Sequence, residues 1–89
     1  MKSYMIAYDL NRAKNYPDLI EAIKENFGTF WHHLDSAWIV KTDLSASQIC
    51  DILSPHIDSD DELLVVGLQR EAAWVGFNEK GSQWLQSHL

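Results

Sequence analysis

The chain has 89 residues, 46% of them apolar and 11% aromatic, with four Gly and two Pro. That is sequence enough for one domain with a single small core, and it excludes disorder, collagen-like repeats and low-complexity linkers. Thirteen acids against seven bases give a formal net charge of −6, which disfavours broad nonspecific binding of duplex DNA, a task that rests on several Lys/Arg–phosphate contacts.

No run approaches the roughly 20 apolar residues of a membrane span. The opening segment meets Asp9 too early for a signal-peptide core. Cys50 stands alone, so neither an intrachain disulfide nor a Cys-rich metal site is expected. A soluble, cytoplasmic protein with no membrane partner is the expectation.

In chain order, Tyr4-Met5-Ile6-Ala7-Tyr8 is a nearly continuous apolar run, which predicts a strand buried on both faces. A polar loop follows over residues 9–15. Tyr16, Leu19, Ile20, Ile23 and Phe27 recur at helical spacing, with Pro17 and Asp18 in the first turn and Gly28 as the stop. Thr29 to His33 and Ala37 to Lys41 read as a hairpin about Leu34-Asp35-Ser36. Ser45-Ala46-Ser47-Gln48 has the capping-box pattern, and Ile49, Ile52 and Leu53 form the buried stripe of a second helix that Pro55 limits. An acidic loop over 58–62 leads into Leu63–Leu68, read as another buried strand. Ala72 to Phe77 reads as a short extra strand, and Asn78 as the cap of a last helix carrying Trp84 and Leu85.

The order β-α-β-β-α-β with a C-terminal extension predicts an α+β, ferredoxin-like sandwich in one domain over 1–89. Its core would span about 3–69, and right-handed crossovers would put strands one and three in the centre. The fold alone says nothing about activity.

Several side chains carry chemistry. Asp9 closes the first strand where the sheet meets its loops, a place where a carboxylate can ligate a hard cation; an Asx turn to backbone N–H groups fits the same position. His32 and His33 are neighbours on a strand, so they point to opposite faces and cannot share one metal. Asp58, Asp60, Asp61 and Glu62 lack the glycine and terminal glutamate of an EF-hand and read as a solvated loop. Trp31, Trp38, Trp74 and Trp84 suit core or interface packing better than base stacking. Cys50 reads as a buried small hydrophobe.

Ile6-Ala7-Tyr8-Asp9-Leu10, with the element order and length, resembles the small CRISPR-associated proteins that partner the integrase in spacer acquisition, and the related VapD-type toxins. Ser36-Ala37-Trp38 is a second echo, and Arg12 and Lys14 fall where that group places basic residues. The resemblance implies a homodimer whose two Asp9 carboxylates hold Mg²⁺ or Mn²⁺ for phosphodiester cleavage, with RNA the favoured substrate. Arg12 would orient the phosphate, and Ser36 would bind a phosphate or a water, unless it only makes a turn. Residues 70–89 would then serve dimerisation, with Trp74 and Phe77 at the interface on a strand that completes the partner's sheet. The chain departs from the group in its acidity and in the segment from Asn78 to Leu89. The alternative function is a non-catalytic dimeric binding or adaptor module, with another defence or toxin–antitoxin protein as its partner.

Overall fold

The apolar run at the start of the chain forms strand β1 (Lys2–Asp9). Its burial alternates: Tyr4, Ile6 and Tyr8 are buried on one face, while Ser3, Met5 and Ala7 are half-buried on the other. The computed structural model describes residues 1–11 and 15–89. After β1 come α1 (Asn15–Asn26), β2 (Phe30–Leu34), β3 (Ala37–Thr42), α2 (Ala46–Leu53), β4 (Glu62–Gly67) and α3 (Glu79–His88). A single 3₁₀ turn over Ser54–His56 follows α2, with Pro55 inside it. The strands lie in the order β2-β3-β1-β4, each antiparallel to its neighbours, so strands one and three are central as expected. This is the ferredoxin-like βαββαβ arrangement, followed by one further helix.

Helices α1 and α2 cover one face of the sheet. Leu19, Ala22 and Ile23 from the first, Phe27 just after it, and Ile49 and Leu53 from the second bury against Ile6, Trp38 and Val40. Each large apolar side chain so buried contributes about 1.5–3 kcal/mol. The capping box forms: the Gln48 amide donates to Ser45 Oγ at 3.1 Å, and the Ser45 amide donates to Gln48 Oε1 at 2.9 Å. Helix α1 ends differently from the expectation. It stops at Asn26, whose Nδ2 donates to the Ala22 carbonyl at 2.8 Å, and Gly28 does not take up the left-handed conformation.

The second face is only partly covered. Trp31 of β2 and Ile39 of β3 pack beneath Leu85 of α3, with Trp74, Phe77 and Leu68 around them. The extra strand over Ala72–Phe77 does not form; the segment is irregular chain folded across this face. Gly76 explains the break, because its φ of +85° lies outside strand geometry and turns Phe77 back toward Trp31. Trp74 donates its indole N–H to Ser82 Oγ at 3.0 Å, so Trp74 and Phe77 pack within their own chain. Helix α3 has Asn78 as its cap, as expected, with the Gly81 amide donating to Asn78 Oδ1 at 2.8 Å.

Ten residues of helix span only about 15 Å, and α3 lies toward β2. Strand β4 is therefore an edge strand with one uncovered face, not a strand buried on both sides. Leu63 and Val65 pack on the core, whereas Leu64 is 57% and Val66 37% exposed. Among the described residues, no helix is long and apolar enough to cross a membrane.

Candidate functional site

Asp9 is the last residue of β1, and alternation from buried Tyr8 puts it on the second face of the sheet. Its register partner on β4 is Glu62, with Ala7 opposite Leu64 and Met5 opposite Val66. Directly opposed residues share a face with Cβ atoms about 4.5–5.5 Å apart. Two carboxylates therefore stand side by side at the rim of an apolar, uncovered strip. Both are exposed, and a shallow open hollow lined by Ala7, Asp9, Glu62 and Leu64 lies between them. Among the described residues none donates a hydrogen bond to Asp9, so the Asx turn does not form there.

The preceding residue holds this end of β1 in place. The Trp38 indole N–H donates to the Tyr8 hydroxyl at 2.9 Å, inside the core. That hydroxyl also reaches the Asp35 carbonyl at 3.5 Å, and the Tyr8 amide donates to the Ser36 carbonyl at 3.2 Å. Burial pushes the Tyr8 phenol above its ordinary pKa of 10.0, and the Trp38 hydrogen bond offsets part of that rise. Tyr8 thus ties β1 to the β2–β3 hairpin and aims Asp9 outward.

Beyond Asp9 the chain is clamped to the acidic loop. The Asn11 amide donates to Asp61 Oδ1 at 2.8 Å, and Asn11 Nδ2 donates to the Asp60 carbonyl at 2.6 Å. The second oxygen of Asp61 accepts the Asp58 amide at 2.8 Å. Asp58, Asp60 and Asp61 bring carboxylate oxygens within 4.8 Å of one another. With both Asp61 oxygens occupied by backbone N–H groups, this loop works as a fastening between β1 and β4.

Ser36 sits with Asp35 in the two-residue turn of the hairpin. Neither residue has a positive φ, so the turn lacks the primed geometry that matches strand twist. The register shift between Trp31 and Leu34 absorbs the mismatch. Ser36 lies at the same end of the sheet as Asp9, and it is the Ser36 backbone carbonyl that binds β1. Its turn-forming role is visible, and its hydroxyl makes no hydrogen bond among the described residues. Arg12 and Lys14 lie outside the described residues.

His32 and His33 do face opposite sides. His32 stacks on Trp38 with ring centroids 3.8 Å apart, and His33 packs on Phe77 at 4.7 Å. Cys50 is half-buried rather than buried. Trp38 and Trp31 are core residues. Glu62 is the site residue that sequence reasoning missed, because it was read as part of the acidic loop. The alternation Glu62, Leu64, Val66 against Leu63, Val65 was the available signal.

No family model, curated protein or solved structure matches the chain.

Proposed function

We propose that the protein is a homodimeric, metal-dependent endonuclease that hydrolyses phosphodiesters, with RNA as the favoured substrate. One observation carries this reading: the exposed Asp9 and Glu62 carboxylates are paired across β1 and β4 beside uncovered Leu64 and Val66. A like-charge pair directly opposed on a sheet is unfavourable by itself. A divalent cation relieves it, and oxygen donors of this kind suit Mg²⁺ or Mn²⁺.

A twofold axis through the apolar strip would bury Leu64 and Val66 of both copies in one isologous interface. It would also bring the two Asp9 carboxylates toward each other. The bound metal would supply an activated water and stabilise the leaving oxygen. Asp9 and Glu62 would hold that ion, and Tyr8 would fix the direction of Asp9 through Trp38. Single-stranded RNA fits an acidic protein better than a wrapped duplex does, since fewer phosphates need neutralising. The gathering of Asp9, Asp35, Asp58, Asp60, Asp61 and Glu62 at one end favours a second reading, a non-catalytic dimeric module for a basic protein partner.

The test is cleavage of labelled single-stranded RNA, single-stranded DNA and duplex DNA with Mg²⁺, Mn²⁺ or EDTA. Outer-shell partners of a metal are worth roughly 10–100-fold, so Asp9→Ala should cost at least about 100-fold while the fold is retained. Full cleavage by Asp9→Ala refutes the assignment. A folded dimer that cuts nothing points to the binding module.

A further inference from the structure

The end of the sheet opposite Asp9 gathers basic side chains, although Asp43 also stands there, 3.8 Å from the Met1 amino group. There β1 begins and β3 and β4 finish, and a cavity of about 390 Å³ opens between them and the last turn of α3. Its lining includes Lys2, Lys41 and Arg70, three of the seven Lys and Arg residues in the chain. Ser3, Gln69, Ser87 and His88 add polar groups; among the described residues no Asp or Glu side chain lines it, and Leu89, which carries the terminal carboxylate, does. In a chain of net charge −6 such a lining runs against composition.

Two of these groups are held in place. Lys41 is half-buried, and its Nζ donates to the His88 carbonyl at 2.7 Å, which leaves two of its three donors for a ligand. His88 stacks on Trp84 with ring centroids 4.2 Å apart. Its Nδ1 lies 2.8 Å from the Trp84 carbonyl, which can only accept, so that nitrogen carries the proton. Arg70 offers a planar fork suited to two oxygens at once.

We propose that this cleft binds the phosphate of a small phosphomonoester, such as a nucleoside monophosphate. A phosphate group presents three acceptor oxygens, which the Lys41 ammonium, the Arg70 fork and the serine hydroxyls can share. The volume lies in the range of small-ligand sites, roughly 300–1,000 Å³. Three bases gathered in one hollow do not make the long track that a nucleic-acid backbone needs. The site is independent of Asp9 and stands or falls without the nuclease reading.

The test is ¹H–¹⁵N NMR titration of the full chain with a nucleoside monophosphate, inorganic phosphate, the uncharged nucleoside, succinate and a short oligonucleotide. The two phosphate probes should give saturable shifts at Ser3, Gln69, Arg70, Ser87 and His88, and the nucleoside none. Arg70→Gln and Lys41→Met should each weaken binding by roughly tenfold or more, and Asp9→Ala should leave it unchanged. Lys41→Met also loosens α3, so the exposed Arg70 is the deciding position. Unsaturated shifts at about 10 mM phosphate probe, or equal shifts around Lys24 and Lys80, would overturn the site. Succinate binding as tightly as phosphate, or a response to the oligonucleotide alone, would overturn the ligand class.

Discussion

Replacing Tyr8 by Phe removes one oxygen from the core and leaves the ring in place. What changes is the partner of Trp38, whose indole N–H donates to that oxygen at 2.9 Å and whose side chain has no exposed surface. Water cannot reach the orphaned donor without opening the sheet from α1. A buried donor left unsatisfied costs about 1–3 kcal/mol, and in a domain of this size 1 kcal/mol moves Tm by roughly 4–8 °C. The effect also has a pH signature. The folded-state pKa of Tyr8 is raised above 10.0 by burial, so above pH 10 the unfolded chain loses this proton first and the folded state retains it. Wild-type stability should then fall as pH rises through that window, by up to about 1.4 kcal/mol per pH unit from this one group. Tyr8→Phe lacks the group, so its deficit at pH 7 should shrink above pH 10. Urea denaturation followed by circular dichroism at pH 7, 9 and 10.5 reads both effects. Equal stability of the two proteins at pH 7, or a deficit that widens above pH 10, would refute the reasoning.

Further outcomes follow from the same structure. Leu64→Lys should change monomer stability by no more than about 0.5 kcal/mol, as expected at an exposed site, yet abolish the dimer in light scattering; a surviving dimer would move the interface elsewhere. Asp61→Ala removes the acceptor of both the Asn11 and Asp58 amides and should cost about 1–2 kcal/mol, the upper part of the range for lost side-chain caps, measurable by thermal unfolding. Leu85→Ala should release α3, because helices shorter than about 12–15 residues are marginal alone. Hydrogen exchange should then speed up over residues 81–89 while the amides of β1 and β3 stay protected.

Most of the elements were legible because their signals are local. The capping box at Ser45, the cap at Asn78 and the apolar stripe of Tyr16, Leu19, Ile23 and Phe27 each depend on residues a few positions apart. The hairpin about Leu34-Asp35-Ser36 and the end of β1 at Asp9 were read in the same way. Local reading failed where a segment's fate depends on what packs against it. Ala72–Phe77 has strand-like composition, but Gly76 and the hydrophobic pull of Trp31 and Ile39 fold it across the sheet.

The sequence by itself determined the order of the βαββαβ elements, the ferredoxin-like topology and the carboxylate at the end of β1. Those follow from periodicity, capping and the compulsion to bury one apolar face. Only the tertiary structure decided that Glu62 stands opposite Asp9, that α3 covers Trp31 and Ile39 yet leaves Leu64 and Val66 open, and that Lys41 and Arg70 meet around one cleft. Strand register joins residues 53 positions apart, and the coverage of a sheet face depends on the length and landing place of a helix further along the chain. No local pattern of residues encodes either.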